Sequence, residues 1–147
     1  MSQSLGLRRH WFVLVCGAFL CAGCGSNGVK VEGKLVKDGQ PYTVAQGESL
    51  ALSFNGKGPQ GEDQIYPATV NGSDGTFVAS GVEGKGIPPG KYQLQVNRTL
   101  MGSDPASVAK MAVINRELKA INGKEVELTN DPVQKLTIDV AKGTVSK

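Results

Sequence analysis

The sequence predicts a mainly β fold: an antiparallel β-sandwich of six or seven short strands with one inserted amphipathic helix near residues 105–121. Short runs alternate apolar and polar residues, the two-residue period of strands with one wet face. Glycine occurs 20 times and proline 7 times in 147 residues. Together these make about 18%, above the usual ~12% and short of the ~25–30% of low-complexity chains. A single segment repeats its apolar residues every three or four positions instead. No internal repeat or long linker divides the chain, so residues 29–147 are expected to form one domain.

The first strand is read from Val29, Val31 and Leu35, with Lys30, Glu32 and Lys34 between them. Asp38-Gly39 then turns the chain. Leu50, Leu52 and Phe54 alternate with Ala51 and Ser53 in a second strand, and the polar, glycine-rich stretch from Asn55 to Gln64 reads as an exposed loop. Ile65 to Val70 is a third strand, placed at an edge or bulge by Pro67, which lacks a backbone donor. Asn71-Gly72-Ser73-Asp74-Gly75 is a hairpin turn into Thr76-Phe77-Val78. After a loop from Gly81 to Gly90, Tyr92, Leu94 and Val96 alternate with Gln93, Gln95 and Asn97 in the cleanest strand. Glu125 to Leu128 and the run through Leu136, Ile138 and Val140 supply the last strands.

The helical segment starts at Asp104-Pro105, an N-cap followed by proline at the first helical position. At 100° per residue, Met111, Ile114, Leu118 and Ile121 fall within an ~80° stripe that is expected to pack on the sheet. Asn122-Gly123 supplies the stop.

The N-terminus carries an address. Arg8, Arg9 and His10 precede an apolar run from Trp11 to Ala22. Twelve helical residues reach about 18 Å, short of a ~30 Å hydrocarbon core, so a secretory signal fits better than a membrane span. The run ends in Leu20-Cys21-Ala22-Gly23-Cys24. This resembles the lipobox of bacterial lipoproteins, although Cys21 stands where leucine is usual. The resemblance implies that residues 1–23 are a lipoprotein signal peptide and that Cys24 is the acylated mature N-terminus, with 24–28 a short tether. Cys16 and Cys21 leave with the signal, so no disulfide is expected. Gly25, where aspartate would favour inner-membrane retention, sets the expectation of an outer-membrane, lipid-anchored envelope protein. From so short a tether, the domain is expected to sit against the bilayer.

Three further motifs carry a family resemblance. Val31-Glu32-Gly33-Lys34-Leu35-Val36-Lys37-Asp38-Gly39-Gln40-Pro41 is similar to the opening of carboxypeptidase regulatory-like domains. Asp74-Gly75-Thr76-Phe77 resembles their mid-domain hairpin, and Ile87-Pro88-Pro89-Gly90-Lys91-Tyr92-Gln93-Leu94 their Pro-Gly-x-Tyr strand entry. The same set after a lipobox resembles small planctomycete-type lipoproteins. The resemblance implies a transthyretin-like (prealbumin-like) β-sandwich, without catalytic residues and with no binding residues to carry over. The stretch from Tyr42 to Ser49 and the helix at 105–121 depart from the family pattern.

Residue chemistry points the same way. Formal charge is +3. Loss of Arg8 and Arg9 takes the 16 basic residues to 14 against 13 acidic, a net of +1, so no nucleic-acid partner is expected. His10, the sole histidine, leaves with the signal, removing Ser-His and Cys-His pairs and the commonest zinc ligand. No cofactor and no metal are expected. Ser107-Val108-Ala109-Lys110 matches a Ser-x-x-Lys pattern but lacks the companion motifs of that enzyme class. Glu62-Asp63 sits in a glycine-rich, solvated stretch. Asn71 to Gly75 lacks the distal glutamate of a calcium loop, and Gly56-Lys57-Gly58 and Gly84-Lys85-Gly86 lack phosphate-loop spacing. The expected function is a non-catalytic binding or structural module contacting an envelope protein or a glycan. The alternative is a small envelope hydrolase using Ser107 and Lys110, or Glu62 and Asp63.

Overall fold

The computed structural model describes residues 28–100 and 104–147. The signal segment, Cys24 and most of the expected tether lie outside the described residues. Within them the order is β1 (Lys30–Lys37), β2 (Gln40–Pro41), β3 (Glu48–Lys57), β4 (Asp63–Val70), β5 (Thr76–Ala79), β6 (Gly90–Leu100), α1 (Pro105–Leu118), β7 (Glu125–Leu128), β8 (Val133–Asp139) and β9 (Thr144–Ser146). The fold is mainly β with one helix, as expected.

Nine strands replace the expected six or seven. The additions, β2 and β9, are hairpin arms of two and three residues, too short to display an alternation. All strands join one sheet in the order β7-β6-β3-β4-β5-β1-β8-β9, with β2 on β1. The hinge is β4, which pairs with β3 along residues 63–68 and with β5 at Thr69 and Val70. The sheet thereby curls toward a barrel around one continuous core. Pro67 sits opposite Ser53, on the stretch of β4 where no β5 pairing requires its missing donor.

The antiparallel expectation fails at one pair. β1 and β8 run parallel from Lys30↔Val133 to Val36↔Asp139. Their connection passes through the rest of the sheet and α1, which is long enough to return the chain to the same end. All other named pairings are antiparallel.

The alternations read from sequence face the core as expected: Val31, Leu35, Leu52, Phe54, Leu94, Val96, Leu136 and Ile138 are buried. Phe54 and Phe77 lie with ring centroids 6.4 Å apart. Tyr66 and Tyr92 meet edge-on at 5.7 Å, and the Tyr92 hydroxyl donates to the Pro88 carbonyl at 2.6 Å. Burial pushes the Tyr92 phenol up to about 12. Asp38 and Gly39 both take positive φ, 51° and 82°. That is the twist a two-residue hairpin needs between β1 and β2.

The polar stretch from Asn55 to Gln64 is not a loop throughout. β3 and β4 run on through Asn55↔Ile65, Gly56↔Gln64 and Lys57↔Asp63, leaving only residues 58–62 as the turn. An exposed hairpin wears polar residues on its outer face, and composition alone cannot tell it from a loop.

The helix begins where expected. The Asp104 carboxylate accepts from the Ala106 and Ser107 backbone N–H groups at 3.0 and 3.1 Å. It ends at Leu118, three residues early, in a tight turn in which the Lys119 N–H reaches the Arg116 carbonyl. Ile114, Leu118 and Ile121 are nevertheless buried in the core, with Met111 packed against them. Past the helix, the Asn122 side chain donates to the Val96 carbonyl and accepts its N–H. Gly123 and Lys124 pair with Leu94. The segment thus takes over the edge of β6 where β7 has not yet begun.

An amide-bearing groove as candidate functional site

The core alternation of β3, β4 and β6 dictates what the opposite face displays. With Leu52 and Phe54 inward, Ser53, Asn55 and Lys57 point out; with Tyr92, Leu94 and Val96 inward, Lys91, Gln93, Gln95 and Asn97 do. β4 adds Asp63, Ile65 and Pro67, and β7 adds Glu125. Register sets these in rows across the sheet. One row holds Ile65, Asn55, Gln93 and Glu125; the next holds Pro67, Ser53 and Gln95.

An open groove of about 520 Å³ lies here, lined by Asn55, Lys57, Asp63, Ile65, Lys91, Gln93 and Glu125 together with Gly56, Gln64 and Tyr92. Its volume falls in the ~300–1,000 Å³ range of ligand sites. Its charges are matched in pairs: Lys57 Nζ lies 2.6 Å from Asp63, and Lys91 Nζ 2.9 Å from Glu125. The Asn55 amide is held by Ser53 Oγ, donating at 3.1 Å, and by Gln95 Oε1, accepting at 3.4 Å. The groove is therefore electrically neutral, with the held Asn55 amide, the exposed Gln93 amide and one exposed aliphatic side chain, Ile65.

The residues named for hydrolysis are engaged elsewhere. The Ser107 hydroxyl donates to Asp104 Oδ2 at 2.5 Å, closing the helix cap. Lys110 Nζ lies 2.5 Å from Glu48 Oε1. Glu62 accepts from the Gln60 N–H within its own turn, while Asp63 pairs with Lys57. Asn71 and Asp74 accept from the backbone N–H groups of Ser73 and Thr76, so their carbonyl and carboxylate oxygens stabilise the turn itself.

A polar cluster that the sequence did not announce ties α1 to the sheet. Glu48, its side chain almost fully buried, takes Lys110 from the helix, Arg98 from β6 and the Ala45 N–H. Arg98 stacks over the Tyr42 ring at 5.6 Å and donates to its hydroxyl. The hydrogen bond from Lys110, then those from Arg98 and Ala45, hold the Glu48 carboxyl at about 2 against the opposing effect of burial. A carboxyl depressed in the folded state stabilises fully above its unfolded value near ~4.3, and that stability is lost as pH falls toward 2. Glu48→Gln is expected to cost roughly 2 kcal/mol at neutral pH, because it leaves two cations short of a partner. It should also flatten the acid limb of stability between pH ~4.3 and ~2. Thermal melts across that range check both effects; a variant with the wild-type acid limb would show that Glu48 is not the group responsible.

No family model matches this chain, no curated protein matches it, and no solved structure matches it.

Proposed function

We propose that the protein is a lipid-anchored envelope module, non-catalytic, that presents the amide-bearing groove to a partner close to the membrane. The supporting observation is the groove: neutral, open and lined by the held Asn55 amide and the exposed Gln93 amide, at the end of the sheet where β1 begins. Gly28 donates to the Lys85 carbonyl at 2.9 Å, and Val29 bridges Ile87, immediately before β6 begins. If Cys24 bears the lipid, four residue steps place it within roughly 14 Å of Gly28. The outer membrane is the proposed location. In this proposal the halves of the sheet on either side of β4 are the two layers of a transthyretin-like sandwich, in keeping with the carboxypeptidase regulatory-like motifs.

Rescue of a deletion strain tests the reading. Ser107→Ala and Glu62→Gln are expected to restore full function, and the double variant Asn55→Ala/Gln93→Ala to fail while folding normally. Failure of the first pair would support the small hydrolase instead. Orientation has its own check. β1 runs about 26 Å from the entry end to the Asp38-Gly39 turn at ~3.3 Å per residue. Photo-cross-linkers at Gln60 and Lys85 should label lipid headgroups strongly, and one at Gly39 weakly. Equal, low labelling at all three would refute close apposition.

A further inference from the structure

We propose that the groove binds a neutral glycan chain; this rests on the module reading and names its partner class. Charge complementarity selects the ligand. Lys57 and Lys91 are matched by Asp63 and Glu125, so no unpaired ion remains in the groove to favour an acidic or basic polymer. What it offers instead are the amides of Asn55 and Gln93, with the Gln95 amide in the adjoining row hydrogen-bonded to Asn55, each both donor and acceptor, as sugar hydroxyl and acetamido groups require. Beside them the Ile65 side chain, 61% exposed, and Pro67 provide aliphatic surface for the C–H face of a pyranose ring.

The location disfavours a peptide. Peptides that add to sheets use an unpaired strand edge. Here β3 is paired on both sides, by β4 and β6, and the start of β6 is paired by β3 and β7. The unpaired edges near the groove are those of β4 along residues 63–68 and of β7, whereas Asn55 and Gln93 stand on β3 and β6 where both neighbours are paired, so recognition at these amides comes from side chains. Those side chains are amides in the middle of a sheet, where asparagine is a poor strand former. Asn55 stands there against local preference, a conflict of the kind found at functional positions.

The test uses the complete mature chain, titrated with chitopentaose and cellopentaose as uncharged probes and followed by the side-chain amide resonances. Saturable shifts confined to Asn55, Gln93 and Gln95 are expected with at least one sugar. Asn55→Ala and Gln93→Ala should each weaken binding about tenfold, the loss of one good hydrogen bond, with unchanged melting temperature. Absence of saturable shifts at millimolar sugar, or shifts centred elsewhere, would overturn the glycan assignment, as would saturation of the same amides by a neutral extended peptide alone. The deletion strain separates the two failures. If sugars do not bind but the groove double variant still fails to rescue, the module reading stands without the glycan. If that variant rescues, both fall.

Discussion

Gly33→Ala is expected to destabilise the domain by at least about 3 kcal/mol, a large share of the ~5–15 kcal/mol that holds a domain together. Gly33 occupies an inward position at the centre of β1, opposite Phe77 on one side and Leu136 on the other. A Cβ there would collide with the Leu136 carbonyl oxygen and come within 2.6 Å of the Phe77 ring. The first obstacle is backbone in the parallel β1–β8 ladder, which no rotamer change relieves, so the strands must separate. At roughly 3–5 °C per kcal/mol, the melting temperature should fall by about 10 °C or more. Gly39→Ala is the comparison: φ is +82° with open space around it, and the cost is the left-handed strain alone, about 1 kcal/mol. A Gly33→Ala melt within a few degrees of wild type would mean that the β1–β8 pairing is looser than described.

Phe54→Ala should cost about 3–5 kcal/mol. Phe54 is fully buried and packs against Phe77, and β3 is the strand that links β4 to β6. Its ring reaches across β4 to Phe77 on β5 and is fully buried, so its removal leaves a cavity in the core. Ile65→Ala, one strand over on the exposed face, should change stability by under ~0.5 kcal/mol. Urea titrations of both variants check the pair. Similar midpoints would contradict the assignment of inner and outer faces, and with it the placement of the groove.

Where alternation was long enough to repeat, sequence and structure agree. Leu52 and Phe54, Leu94 and Val96, and Leu136 and Ile138 all face the core, and Asp104 caps α1. What escaped lacks a local signal. β2 and β9 are too short to show a period. The parallel β1–β8 register is fixed by contacts about a hundred residues apart in sequence. Gly33 leaves the Val31–Leu35 alternation without an apolar side chain, and the Phe77 ring fills its place. Of the groove, Gln93 is legible in the sequence, at the head of an outward row that runs on through Gln95 and Asn97. Asn55, expected in a loop, joins that face because the β3–β4 hairpin continues through Lys57↔Asp63, which composition does not display. Glu48 and Arg98 lie 50 residues apart, and nothing in either neighbourhood marks the pair.

An exposed groove near the start of β1 acts at a membrane only if Cys24 holds it there. One acyl chain gives marginal binding, at ~0.8 kcal/mol per buried methylene, so stable anchoring requires the two or three chains of a lipoprotein. Intact-mass measurement of the protein extracted from membranes is the direct test. The expected result is a chain beginning at Cys24 and heavier than its sequence by those acyl groups. An unmodified chain beginning at any other residue would contradict it.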